Sequence, residues 1–327
     1  MTLTTHHLQF TATALTPVAL GEQSGSAVRG AIAGALWERF CANKSAPTCS
    51  ACPLLTVCPV AALIAPMRDE EQKGSDQRPR PYVTRPPRDG ARTYAPGETL
   101  QFGLALFGSA AAFYPYLVMA AHELERRGLG MRLPQLGGRR GSLRLSEIAA
   151  VNPLTGERQA LYTGDSGLVR QPGLPIDAVA VQRFAATLPS DQITLHFETP
   201  LRLIEQERLL KQIALRPLIQ RLMRRLDDLS IAYGDGALAL DFRALLAVAQ
   251  EVRVVDDHTR WVDVVSVSHR QGRRTPIGGL VGRATFAGEL GPLRELLVWG
   301  SLIHVGKNAV KGDGWYRIAS PEDYLIG

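Results

Sequence analysis

The chain is poor in the features that would settle its chemistry at a glance. Its 327 residues hold no apolar run approaching the roughly 18 residues of a membrane span, and the opening Met1-Thr2-Leu3-Thr4-Thr5-His6-His7 lacks the basic start and apolar stretch of a secretory signal. A cytoplasmic protein is therefore expected. There is no Walker phosphate loop, no His-Glu-x-x-His pair and no Gly-x-Ser-x-Gly elbow, which removes local support for nucleotide hydrolysis, zinc proteolysis and α/β-hydrolase chemistry. Cysteine is scarce, at four residues, and all four lie together.

Those cysteines, Cys41, Cys49, Cys52 and Cys58, are spaced Cys-x7-Cys-x2-Cys-x5-Cys. In a cytosolic chain such clustering points to metal ligation rather than disulfides. The Cys49/Cys52 pair chelates one ion while Cys41 and Cys58 complete a tetrahedron of thiolates, a closed structural site of the zinc type. A [4Fe-4S] cluster uses the same ligands, and the Cys52-Pro53 and Cys58-Pro59 dipeptides suit it. Four free thiols are the remaining alternative. With no open coordination position, such a metal stabilises a loop and takes no part in catalysis.

The chain is mildly basic, 37 Lys and Arg against 31 Asp and Glu for a net charge of +6. Arginine outnumbers lysine and recurs in clusters, among them Arg221, Arg224 and Arg225, and Arg270, Arg273 and Arg274. Guanidinium groups bind phosphate bidentately and stack on bases, so the bias fits a nucleic-acid partner. A GC-rich genome gives the same bias.

Length favours two domains. His7 to Ala14 alternates as a strand, and Ser24 to Cys41 carries a helical set at Val28, Ile32, Leu36 and Phe40, with Ser24 or Ser26 as cap. A cysteine-bearing, Pro/Arg-rich insertion follows over about 41–96. A strand at Glu98 to Phe107, a helix at Ala110 to Arg127 ending at Gly128, and a strand near Ser142 to Val151 complete the first half. Residues 164–190 form a Gly/Pro-rich linker between domains 1–163 and 191–327. The second half repeats the scheme: a strand at Gln192 to Ile204, a helix at Ile213 to Tyr233 with a leucine stripe, strands at Trp261 to Ser268 and Gly279 to Glu289, a helix at Pro292 to Ile303, and a strand at Trp315 to Ile318. The expected fold class is α+β: two tandem ferredoxin-like (RRM-like, βαββαβ) domains of the split-βαβ type, with a four-cysteine insertion in the first.

Between the last helix and strand lies a basic loop in which Gly306, Gly312 and Gly314 allow close backbone approach to a phosphodiester and Lys307 and Lys311 supply positive charge. His304, where the helix enters the loop, is the preferred proton-transfer candidate, because a helix C-terminus favours imidazolium. It also lies seven residues after Leu297, on the apolar face, where a core histidine is ordinary. His269, in the basic run Ser266 to Arg274, is either part of a solvated hairpin or an RNA contact.

Ser268-His269-Arg270-Gln271, then Gly278-Gly279-Leu280-Val281-Gly282, then His304-Val305-Gly306-Lys307 and a final Gly-x-Gly resemble the CRISPR-associated endoribonucleases of the RAMP superfamily that process precursor CRISPR RNA. Arg29-Gly30, Arg80-Pro81-Tyr82-Val83 and Leu106-Phe107-Gly108 extend the resemblance into the first half. It implies two ferredoxin-like domains gripping a repeat RNA. It implies metal-independent attack of a 2′-hydroxyl on the adjacent phosphate, giving 2′,3′-cyclic phosphate and 5′-hydroxyl ends for guide RNA in antiviral defence. His304 and Lys307 take the catalytic places in this resemblance. Arg221, Arg224, Arg225, His269, Arg270, Arg273, Arg274, Gly306, Lys311, Gly312 and Gly314 are the expected RNA contacts. Expected partners are CRISPR repeat RNA and other effector subunits. Two further classes stand beside it: an inactive subunit that holds guide RNA in an effector complex, and a cluster-bearing redox protein. The loop departs from the family in one place, since Asp313 stands where an apolar residue is usual.

Overall fold

The computed structural model describes residues 3–67, 78–268 and 273–319. The described residues separate into two units, one of residues 3–175 with 232–235 and one of residues 176–231 with those from 236 to 319.

In the first unit β1 (Thr5–Ala14) is followed by α1 (Ser24–Phe40), β2 (Tyr82–Arg85), β3 (Thr99–Phe107), α2 (Tyr114–Arg127), β4 (Leu143–Val151) and β5 (Arg158–Thr163). The sheet is antiparallel with order β2-β3-β1-β4-β5. Alternation along β1 sends Leu8, Phe10, Ala12 and Ala14 inward, and Phe10 stacks on its register partner Phe102 of β3 at 5.1 Å between ring centres. Val28, Ile32 and Leu36 of α1 are buried as their spacing predicts, while Phe40 meets Tyr116 edge-on at 5.1 Å. The helix starts at Ser24, but the capping position is Gln23, which makes no side-chain cap bond. Gly128 ends α2 at φ +72, and its N–H closes on the Leu124 carbonyl at 2.8 Å.

The segment expected to be an insertion over 41–96 contains β2, an edge strand of the main sheet. Its four residues are too few for a periodicity to declare itself against the surrounding Pro and Arg.

In the second unit the elements are α3 (Ala178–Thr187), β6 (Gln192–Leu201), α4 (Leu215–Tyr233), α5 (Phe242–Glu251), β7 (Arg253–Val262), β8 (Gly279–Ala287), α6 (Arg294–Ile303) and β9 (Tyr316–Ile318). The four strands form an antiparallel sheet of order β7-β8-β6-β9. Numbering only the strands that alternate with helices, the lateral order is second, third, first, fourth, as in the first sheet. The stripe on α4, Leu215, Leu218, Ile219, Leu222, Leu226 and Leu229, is wholly buried, each side chain contributing roughly 2 kcal/mol of gross apolar burial. Thr194 and Thr285, buried on neighbouring strands, satisfy each other's hydroxyls at 2.7 Å.

Two elements depart from expectation. Helix α3 lies inside the 164–190 segment expected to be a linker, and Asp177 caps it by accepting the Ala180 N–H at 2.8 Å. The strand expected at Trp261 to Ser268 divides into the end of β7 and a hairpin strand, Val265–Ser268, paired with Arg273–Pro276. Among the described residues no helix is long and apolar enough to cross a membrane.

Candidate functional site

Where α6 ends, the chain must turn back to start β9 beside β6, and residues 304–314 make that turn. Their backbone is unusual: His304 has φ +60 and ψ 162, Asn308 φ +62, Gly306 φ +88, Gly312 φ +96 and Gly314 φ +69. The loop is clamped to the end of β6. Lys307 N–H donates to the Arg202 carbonyl at 3.0 Å, Gly314 N–H to that of Pro200 at 3.0 Å, and Val305 N–H to that of Gly314 at 3.1 Å. The Thr199 hydroxyl donates to the Gly312 carbonyl at 2.7 Å and accepts the Trp315 N–H at 2.9 Å.

This packing explains two of the glycines. A Cβ on Gly314 would lie 1.7 Å from the Val305 carbonyl oxygen, and one on Gly306 would lie 2.7 Å from that of Arg202. The close approach these glycines permit is to the chain's own backbone.

The expected site residues fall into distinct environments. His304 caps α6, its N–H reaching the Gly300 carbonyl at 3.0 Å. Its imidazole has no exposed surface and stacks on the Trp315 indole at 6.0 Å between centroids. In this conformation the ring does not face a bound substrate. The pair φ +60, ψ 162 lies in a region that is nearly the preserve of glycine, at a cost of about 1–3 kcal/mol that the surrounding packing holds in place. Lys307, by contrast, is exposed, and Lys311 is partly so.

Asp313 is the group the sequence marks as out of place, and it is 7% exposed. Burial pushes its carboxyl up to about 7, against the opposing pull of Lys311, a hydrogen bond with Asn308, and Arg202. Its Oδ2 is buried and receives no hydrogen bond among the described residues.

The α4 arginines divide. Arg225 Nε donates to the Ile303 carbonyl at 2.9 Å, placing a cation on the C-terminus of α6. Burial lowers this guanidinium to about 10, which leaves it charged at neutral pH. Arg221 Nε donates to the Ile204 carbonyl at 3.2 Å. Arg224 alone of the three is exposed. Arg225→Ala should therefore lower stability by about 2 kcal/mol, the scale of a lost charged hydrogen bond, whereas Arg224→Ala should change it by less than about 0.5 kcal/mol. Thermal unfolding of the two variants checks this, and equal losses would remove the distinction.

Arg274 is exposed on the Arg273–Pro276 strand, where Arg273 begins the pairing opposite Ser268. His269 and Arg270 lie outside the described residues. Cys41 closes α1 and Cys58 caps the short helix Pro59–Ile64, with Cys49 and Cys52 in the turns between. Among the described residues no three His, Cys, Asp or Glu side chains converge enough to hold one ion. As placed, the four thiols do not form the tetrahedron their spacing suggests.

Sequence reading missed a set of residues that the fold gathers beside the loop. Arg202 directly follows β6, Trp261 nears the end of β7, and Lys211 follows the hairpin Ile204–Leu209. The Arg202 guanidinium lies 5.9 Å and the Lys211 ammonium 5.5 Å from the centre of the Trp261 ring. Nearly sixty residues separate Arg202 from Trp261 in sequence, so no local pattern joins them.

Comparison with known proteins bears on this arrangement. Residues 3–174 match the family model AF_1859_N, an N-terminal domain, and residues 195–316 match that of the CRISPR-associated endoribonuclease Cas6. A search of curated proteins finds no match. Among solved structures, a Thermus thermophilus Cas6 superposes with TM-score 0.56 at 12% identity, covering 98% of this chain and 100% of that one. Another Cas6, solved as a product complex, gives TM-score 0.52 at 16% identity over 97% of this chain and 100% of that one. A partial Cas6-RT-Cas1–Cas2 complex gives 0.57 at 13% identity over 97% of this chain and 46% of that one. At these identities the structures establish a shared fold. The N-terminal model spans more than half of the chain, so the chain belongs to the AF_1859_N family, and its segment 195–316, which encloses the whole 304–314 loop, is similar to the CRISPR-associated endoribonuclease Cas6.

Proposed function

We propose that the two units are tandem ferredoxin-like domains and that the protein is an endoribonuclease cutting precursor CRISPR RNA within its repeats. The single observation that carries this reading is the position of the glycine loop. It belongs to the Cas6-matching segment, is clamped to the central strand β6, and holds Lys307 outward. In the proposed reaction the 2′-hydroxyl gives up its proton to solvent and attacks the adjacent phosphorus, the bond to the 5′-oxygen of the next nucleotide breaks, and that oxygen takes a proton from solvent. The products are a 2′,3′-cyclic phosphate and a 5′-hydroxyl. Lys307, with Lys311 and Arg202 behind it, stabilises the charge that develops on the phosphoryl oxygens. A sealed imidazole cannot exchange protons with RNA, so His304 enters the proposal as a positioning residue that fixes the entry of the loop beneath Trp315.

CRISPR repeat RNA is the proposed substrate. Other CRISPR subunits are proposed partners, a reading supported by the neighbour solved within a Cas6-RT-Cas1–Cas2 complex. A four-thiolate zinc or iron–sulfur site on Cys41, Cys49, Cys52 and Cys58 stays a separate proposal, which the metal content of the purified protein decides. No step of the cleavage runs through it.

Incubation with repeat RNA in EDTA should give a single cut carrying a cyclic phosphate end. A 2′-deoxy nucleotide immediately 5′ to the scissile phosphate should prevent it, because the attacking hydroxyl is then missing. RNA that is bound tightly but stays intact would shift the reading to a guide-holding subunit.

A further inference from the structure

Trp261 is the penultimate residue of β7 and pairs with Leu280 of β8, which pairs in turn with Leu201 at the end of β6. One row thus crosses the sheet from Trp261 to the residue before Arg202. Unlike Trp299 and Trp315, which are buried, Trp261 keeps part of its ring at the surface. Its Nε1–H donates to Asp263 Oδ1 at 2.8 Å, which fixes the plane of the indole.

Two cations crowd this one ring. Arg202 is held there by donating to the Gly278 carbonyl at 2.8 Å, and Lys211 is exposed. Among the described residues no carboxylate forms a salt bridge with Arg202, Lys211 or Lys307. The Arg202 carbonyl also anchors Lys307, so a third cation issues from the same backbone. Two cations on one ring offer paired contacts to a polyanion. An aromatic face beside cations that form no salt bridge among the described residues matches the chemistry of single-stranded nucleic acid, whose bases stack while its phosphates pair. An acidic peptide would satisfy the cations and leave the ring unused.

We propose that Trp261, Arg202 and Lys211 form a docking site for unpaired nucleotides of RNA, with a base stacked on the indole and the flanking phosphates on the two cations. This rests on the RNA-processing reading and places a single-stranded stretch of the RNA beside the loop. Lys211 is the cation that swings aside to admit the base.

The test uses the full chain and a short oligouridylate as probe, followed by quenching of tryptophan fluorescence and by competition. The probe should quench the parent protein. Trp261→Leu should weaken its binding about tenfold, within the range of one lost base stack, while Trp261→Phe should stay within about threefold because a stacking face remains. Lys211→Ala should reduce the dependence of affinity on salt by about one phosphate contact. Equal affinity of the parent and Trp261→Leu, or failure of the parent to bind the probe, would overturn the site. If the probe binds through Trp261 but repeat RNA is never cut, the docking site stands and the nuclease reading falls. If repeat RNA is cut and its binding ignores Trp261→Leu, the nuclease reading stands and the docking site falls.

Discussion

Gly314→Ala should destabilise the second unit by about 3 kcal/mol or more, one of the largest effects available from a single added methyl group. Gly314 sits at φ +69, where an L-residue pays roughly 1–2 kcal/mol for the left-handed conformation alone. The heavier cost is steric, since the new Cβ would lie 1.7 Å from the Val305 carbonyl oxygen, a backbone atom with no rotamer into which to retreat. Relief requires Gly314 to move, and that breaks its N–H bond to Pro200 and the Val305 bond to its own carbonyl. Gly137→Ala is the matched control. Gly137 also has a left-handed φ, +63, but nothing lies within 4 Å of its Cβ position. Urea unfolding should show a loss of only about 1–2 kcal/mol for Gly137→Ala. Similar losses for both would mean that the clamp of the loop contributes little.

Asp313→Asn should raise stability above neutral pH and leave it almost unchanged in acid. The folded carboxyl holds its proton up to about 7, against a reference value of 3.8. Between these values the folded state binds more protons than the unfolded one, so stability falls as pH rises through the window and levels off above it. The full shift corresponds to on the order of 4 kcal/mol, and relaxation of the loop in the ionised state reduces what is measured to about 2 kcal/mol. Asparagine keeps the shape, cannot ionise, and removes the fall. Denaturation at about pH 5 and about pH 8 measures it, and a loss of stability at pH 8 would show that the ionised carboxylate is the favoured form. Ionisation also adds a negative charge close to Lys311 and Arg202, so the parent should hold RNA more tightly at the acid end of the same range.

The fold was legible where burial imposes a period. The alternation of β1, the spacing on α1 and the leucine stripe of α4 each mark a face that meets a core, and the residues named by those patterns are buried, save Phe40 at the end of α1, which is half-buried. It was illegible where an element is short or solvated. Four residues of β2 carry no period. β7 is exposed along much of its length, because an edge strand need not alternate into a core. The linker of small residues conceals α3, which only Asp177 announces.

The site was legible as a loop and obscure as a surface. Gly306, Gly312, Gly314, Lys307 and Lys311 share eleven residues with His304, so their proximity follows from sequence. Which of them faces outward does not. Arg225 and Arg224 are adjacent, yet one caps a helix of the same unit and the other meets water. The Trp261 cluster draws on three stretches of chain: the pairing of β6, β7 and β8 sets Trp261 and Arg202 at one end of the sheet, and Lys211 comes from the segment after the Ile204–Leu209 hairpin.

The lateral order of the two sheets bears on how the chain acquires its shape during synthesis. In each sheet the strand that leaves the ribosome earliest becomes central and must wait for partners made much later: Thr5 pairs with Phe107, and Phe197 with Tyr316. Neither sheet can be completed by hairpins alone, so closure demands long-range loop formation and proceeds slowly. The first sheet has its entire strand set by Thr163, and it can close while the second is still being translated.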